Sequence, residues 1–485
     1  MKKILSILFA LSISVPIVAQ NRLTSSYEQP LSNASYYADN NTNSLAIISK
    51  AELSEETLEI AKSEFMASSG ETPEPIYRRS SLYTILLETD PVFKEEDEKE
   101  LNQLVMESYS KAPFPDKYND HRLGISSFKF KDYSGISPND TTQLGDENDE
   151  KQARKIDEAY IKASEKFLKE NEIAKGMVAK WFNRKDDGTF DMSLIHERGS
   201  YDASAMQVQL ASGSIRGMTM LQDAGEELIK NTFVIINRMR FVKNEPIARA
   251  VRDIAYVAAD QIKNELARSL AKSAADAAYE TTKDGYSVWT VSFLYQLEWN
   301  DDIANNFYEN MWMDESNVND ERKALFDNAD IFKLNFVGYE KSKSLVLFSA
   351  GRTKEQIIEV ATIRNIDRTY VKLQKSFDVF KTKTPIVSTN PIIAKIGLKE
   401  GLSGGDKFDV LEMTIDAKTG LTKYAKVGQV KVDGKKIWDN RYALSEADVE
   451  NGGEEKTDSV EVKLNATVFK GSKKILPGML LRQVK

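Results

Sequence analysis

The chain has 485 residues, no cysteine, two histidines and a formal charge of −8, with 41% apolar and 29% charged residues. Such a mixture suits globular domains and excludes a collagen-like, wholly disordered or polytopic membrane chain. The missing thiols exclude disulfides, thiolate nucleophiles, iron–sulfur ligands and Cys-containing zinc sites, and two imidazoles cannot supply a three-histidine metal site.

Met1–Ala19 reads as a secretory signal: Lys2 and Lys3 precede the apolar run Ile4–Val18, and Ala19 ends a segment suited to cleavage. The run is too short for the ~20 residues of a spanning helix. No cysteine follows it, which removes a lipid anchor, and no later window is long and apolar enough to cross a bilayer as a helix. Losing Lys2 and Lys3 leaves the mature chain still more acidic, and no run of five basic residues occurs, so nucleic acid is not an expected partner.

Gln20–Asn43 is rich in Asn, Ser and Tyr and reads as an arm, followed by a helical pattern over Glu52–Phe65. Ser81–Leu87 and Ile125–Phe130 read as strands flanking a helix over Lys94–Lys111, and the polar stretch Ser137–Glu150 reads as a linker. Apolar residues from Ile156 to Trp181 predict one long amphipathic helix, and Asp202–Lys230 a helix pair. Thr232–Val242 is a strong strand with Phe233, Ile235, Met239 and Phe241 on one face. Asn244–Pro246 caps an Ala-rich helix over Ile247–Glu280. Tyr286–Trp299 is the most apolar strand, with Trp289, Val291, Phe293, Tyr295, Leu297 and Trp299 alternating on one side. Further strands are expected near Phe332–Val337 and Leu345–Phe348, then a helix from Lys354 to Lys381. In that helix Ile363, Ile366, Tyr370, Leu373, Phe377 and Phe380 are spaced by threes and fours, which suits packing on a sheet better than a coiled coil of so few heptads.

After Pro385 the pattern changes to short strands. Lys407–Ile415 and Leu421–Val432 flank a hairpin turn, Asp433–Gly434 marks another turn, Glu446–Asp458 reads as an acidic loop and Val460–Phe469 as a further strand. The expected fold class is α+β: a central α/β domain with long helices packed on a mixed sheet, plus a small C-terminal β-barrel of SH3-like type. The expected divisions are a signal peptide at 1–19, an N-terminal α/β region at 20–145, the central domain at 146–383 and the barrel at 384–485.

Two segments carry a resemblance. Asp223–Val242 (DAGEELIKNTFVIINRMRFV) and the phrase Ile396–Val410 (IGLKEGLSGGDKFDV) resemble parts of envelope-assembly proteins related to the flagellar-assembly T protein and to curli-secretion and TolB-type modules. The resemblance implies an α/β domain followed by an SH3-like barrel and an assembly role, and it transfers no functional residue. The chain with its closing segment Pro477–Arg482 is also similar to uncharacterised exported proteins of gut-type bacteria, which implies a location and no activity.

Several motifs name chemistry by letter alone. Gly401–Gly405 fits G-x-S-x-G, but a strand follows where the hydrolase elbow needs a helix, and both histidines lie upstream, so a glycine turn is expected. His196–Glu197 begins a zinc-protease pattern whose second histidine is replaced by Ser200. His121 sits in a loop-like segment. Asn183–Gly188 imitates a calcium loop but places Lys185 and Leu194 where oxygen ligands are needed. Ser108 and Lys111 form a conceivable Ser–Lys pair at a helix end. Tyr286–Trp299 is long enough to cross a bilayer as a β-strand, though a buried central strand is the favoured account of its apolar character. No catalytic, cofactor or metal residue is assigned. The expected function is a non-catalytic exported cell-envelope protein that binds other envelope proteins or itself through sheet edges and barrel, in the periplasm or at the outer membrane. The alternatives are a carboxylate-dependent hydrolase of surface glycans and a subunit of an oligomeric outer-membrane pore.

Overall fold

The computed structural model describes residues 77–89, 96–135, 150–201, 225, 227–347, 353–415, 422–442, 464–471 and 475–484. The expected signal segment, the arm, the helix Glu52–Phe65, most of the linker, residues 202–224 of the expected helix pair and the acidic loop Glu446–Asp458 lie outside the described residues.

Strand β1 (Ser81–Glu88) leads to α1 (Glu96–Lys111) and to two short strands, β2 (Asn119–Asp120) and β3 (Ser127–Lys129). Phe130, expected to end that last strand, instead opens a short helix α2 (Phe130–Tyr133) and is still buried. The predicted helix Ile156–Trp181 is two: α3 (Glu150–Glu170) and α4 (Ile173–Trp181), separated where Glu172 takes a left-handed conformation at φ 49°. Next come α5 (Ser193–Tyr201) and β4 (Thr232–Lys243). The Ala-rich stretch is also divided, into α6 (Asn244–Asp260) and α7 (Glu265–Thr282). Then follow β5 (Gly285–Leu297), α8 (Asp301–Asn306), α9 (Asp320–Asp327), β6 (Leu334–Leu347) and α10 (Lys354–Ser376). The two strands expected within 332–348 are thus one continuous strand.

The sheet runs β2-β1-β4-β5-β6, with β3 also on β1. Strand β1 pairs with β4 in parallel, while β4, β5 and β6 are antiparallel, so the sheet is mixed. Residues expected to form a separate N-terminal region and a central domain therefore contribute to one sheet. Period-two alternation splits its side chains between two cores. On one face Tyr83, Ile85, Ile236 and Phe293 meet Tyr160, Phe167 and Trp181 from α3 and α4. On the other, Leu82, Phe233, Ile235 and Leu294 meet Leu101 and Val105 of α1 and Ile358, Tyr370 and Leu373 of α10.

Polar groups also lie buried under α10. The Asn365 amide donates to Thr290 Oγ1 at 2.6 Å and to the Val288 carbonyl at 3.2 Å, while Ser342 hydrogen-bonds Asn365 and Thr369. One strand over, Asn237 donates to the hydroxyls of Tyr109 and Tyr370, both at 3.1 Å, and accepts from Ser292. Each group finds its partner, so burial is tolerated and the helix is held in one register on the sheet.

The remaining strands are β7 (Thr384–Thr389), β8 (Ile392–Ala394), β9 (Lys407–Ile415), β10 (Thr422–Val432), β11 (Thr467–Gly471) and β12 (Leu480–Gln483). They close in the order β10-β11-β8-β7-β12-β9 around Ile386, Phe408, Val410, Val430 and Phe469. The C-terminal part is a small closed six-stranded antiparallel barrel. It rests on the outer side of α10: Arg364 donates to the Tyr442 carbonyl at 3.1 Å, the Tyr442 hydroxyl donates to Glu359 at 2.8 Å, and Lys375 reaches the Gly401 carbonyl at 3.3 Å. A second tie joins Tyr424 of β10 to Glu227 at 2.7 Å, with Lys383 4.0 Å from the centre of the Tyr424 ring.

Replacing Asn365 with Ala strips the donors from Thr290 and Val288 inside this seam. Loss of about 2–3 kcal/mol is expected, since orphaned buried polar groups cost that much. Urea unfolding at constant m checks it; an unchanged midpoint contradicts the seam's structural role.

Candidate interaction surface

The structure places each motif residue in a setting that accounts for it. Gly401 (φ 67°) and Gly405 (φ 89°) take the left-handed conformation that glycine adopts freely, and a Cβ on Gly404 would lie 2.8 Å from the Cα of Gly434. The backbone of Ser403 donates to Asp406 at 3.0 Å, and β9 follows. This is a barrel turn, as the missing helix implied. His196 and Glu197 are exposed on α5. Asp187 accepts from the backbone and hydroxyl of Thr189 at 2.9 and 2.7 Å, and Lys185 pairs with Glu315, so Asn183–Gly188 is a self-satisfied turn. Ser108 is buried and gives its hydroxyl proton to the Leu104 carbonyl at 2.6 Å, whereas Lys111 is exposed. The two do not form a pair.

His121 is the most constrained of these groups. Its ring is fully buried and stacks on Trp181 at 4.7 Å. Nε2 bonds the Met177 carbonyl at 2.9 Å, and a carbonyl only accepts, so Nε2 carries the hydrogen and Nδ1 accepts from Arg198 at 3.0 Å. Burial, seconded by the Arg198 charge, pushes the imidazole down to about 3. The ring has no free nitrogen with which to serve as a base.

Carboxylates gather once, where α10 meets the barrel. Burial raises the Asp367 carboxyl to about 6, with Glu400 and Asp116 adding to the effect and Lys399 opposing it. Glu400 is already held by the Gly397 amide at 2.7 Å and by Asn440 at 2.9 Å. The crevice beside Glu400 measures only about 20 Å³, room for one water and not for a sugar. Among the described residues no group of three or more His, Asp and Glu side chains is arranged to hold a metal ion.

Tyr286–Trp299 is mostly β5, flanked by β4 and β6, with Val291, Phe293, Tyr295 and Leu297 in one core and Leu294 in the other. Its apolar character is explained by burial. The sheet's outer strand on that side, β6, has its edge occupied: Arg368 donates to the Lys343 carbonyl at 3.0 Å and Lys372 to the Lys341 carbonyl at 2.5 Å. Cations over an edge discourage a further strand from adding there. The barrel is closed and presents no such edge.

Among the described residues, a run of large apolar side chains is exposed on one helical hairpin. Helices α6 and α7 form an antiparallel hairpin joining β4 to β5, whose ends are paired at Lys243 and Tyr286. Asn264 caps α7 by accepting from the Ala267 amide at 3.0 Å. The seam between the helices carries Tyr256 donating to Asp276 at 2.7 Å, Lys272 paired with Asp260 at 2.8 Å, and Arg252 over the Tyr279 ring at 4.5 Å. Away from that seam Ile254 is 69% exposed, Val257 66%, Leu266 72% and Leu270 64%. Such a run of large apolar side chains in water marks a contact surface, where isolated ones would need no explanation. At ~100° per residue, Ile254 and Val257 on α6 and Leu266, Leu270, Ala274 and Ala277 on α7 tilt to one side of the pair.

Reading the stretch as a single helix hid this surface. Its length beyond ~25 residues, and Asn264–Glu265 as an internal start signal, were the clues. No family model matches the chain, and a search of curated proteins gives no match.

Two pH effects follow. On unfolding, His121 regains an ordinary value near 6.5, so its contribution is complete above pH 6.5 and is lost as pH falls towards 3. A His121→Gln variant is expected to lose less stability than the parent between pH 7 and 4.5 in urea melts; identical losses contradict the burial argument. Asp367 has the opposite sign, its folded value being raised, so its contribution is present below the unfolded value and lost as pH rises through 6. Asp367→Asn is expected to exceed the parent in stability at pH 8, with the gap narrowing at pH 4.

Proposed function

We propose that this chain is an exported, non-catalytic cell-envelope protein that works by holding other proteins, with the α6–α7 hairpin as its contact surface. The observation that carries the reading is the exposed face of Ile254, Val257, Leu266 and Leu270. Burying a side chain of that size is worth ~1.5–3 kcal/mol, so leaving four in water favours a partner.

The rest of the described structure directs contact to that face. The barrel has no open edge, and the β6 edge is taken by Arg368 and Lys372. Strand addition at β6 or at the barrel, part of the route expected from sequence, is thereby disfavoured, while binding by the barrel's outer surface remains compatible. Export rests on the Met1–Ala19 segment, and the envelope setting on the resemblance at Ile396–Val410, which forms the turn before β9 and the start of that strand.

A photo-crosslinking residue placed at Ile254 or Leu270 in cells tests the reading. Discrete covalent adducts are expected from these positions and not from Asp302, exposed on α8 beyond the far end of β5. The absence of adducts at both apolar positions contradicts it.

A further inference from the structure

Resting on the hairpin as the contact surface, we infer that its partner is a second copy of this chain, the two hairpins closing face to face into a four-helix bundle about a two-fold axis. Three features of the molecule favour this occupant.

The first is area. Ile254, Val257, Leu266 and Leu270 are each 64–72% exposed, and a two-fold contact buries the patch of both copies at once, which brings a small patch toward the ~800 Å² per partner of a standard stable interface.

The second is charge. The whole chain carries −8, so two copies repel through most of their surface. Residues 244–283 hold six basic and six acidic side chains, so the hairpin itself is balanced in sign. A two-fold contact brings a patch against itself, which requires a patch that does not repel its own image. This hairpin meets that requirement.

The third is the chemistry of the stripe. Alanines at 267, 274 and 277 alternate with Leu266 and Leu270, a pattern that lets helices approach closely and interleave. Helices that lie on membranes pair an aromatic or leucine face with a strongly basic one. Here the stripe has no aromatic residue and the polar side is balanced in sign.

Light scattering on the purified chain without detergent tests the inference. The expected mass is twice 54.7 kDa at about 50 µM, and Leu266→Glu with Leu270→Glu is expected to halve it with the helical signal intact. Because the chain has no cysteine, single substitutions give a second readout that does not depend on that variant folding. Val257→Cys or Leu270→Cys is expected to form interchain disulfides on mild oxidation, whereas Asp302→Cys, on α8 beyond the far end of β5, is not. A monomeric parent with no disulfide from either apolar position overturns the inference. If that monomer still gives cellular adducts with other proteins from Ile254, the contact reading survives and self-pairing alone fails; if it gives none, both fail. A monomer that instead floats with phosphatidylglycerol–phosphatidylethanolamine vesicles also overturns self-pairing, in favour of a lipid surface.

Discussion

Helix α10 is a wall shared by two structures. Its inner side lies on the sheet through Ile358, Tyr370 and Leu373 and through the Asn365–Ser342–Thr369 hydrogen bonds. Its outer side receives the barrel through Glu359, Arg364 and Lys375. A helix hydrophobic on one stripe normally leaves the opposite side to water. Here the opposite side is spent on polar contacts with backbone carbonyls and a tyrosine hydroxyl, which need defined geometry to be favourable. Sheet, helix and barrel are consequently fixed against one another at α10, with the Tyr424–Glu227 tie beside it.

That constraint explains where contact is left to occur. Arg368 and Lys372 reach from α10 to the β6 edge, so the helix that holds the barrel also blocks strand addition. Asp367 lies in the same junction, where burial raises its carboxyl and the crevice beside Glu400 measures about 20 Å³. The hairpin hangs from the opposite ends of β4 and β5 and shares none of these restraints.

Much of the fold was legible in the amino-acid pattern because burial on both sides of a strand writes itself into composition. Strands β4 and β5, the barrel hairpins and the spacing of Ile366, Tyr370 and Leu373 are of this kind. Long-range pairing was not legible: β1 joins β4 in parallel across a wide sequence gap, and nothing local encodes that choice. Helix breaks were missed where the breaking residue is ordinary, as at Glu172, which is left-handed without being glycine. The exposure of Leu266 and Leu270 was not legible either, because sequence periodicity shows which residues share a face but not whether that face is covered. The same ambiguity hid Asn237 and Asn365, whose side chains look like surface residues until their partners are seen.

The account holds that the hairpin is an appendage for contact and not a support for the sheet. Because β4 and β5 are already paired at Lys243 and Tyr286, residues 244–285 can be replaced by an Asn-Gly turn that suits two antiparallel strands. Thermal unfolding of this shortened chain, read beside its capture of the parent's cellular partners, is the most direct test. The account predicts one cooperative transition close to the parent's and loss of capture. A collapsed fold, or capture undiminished by the excision, would contradict it.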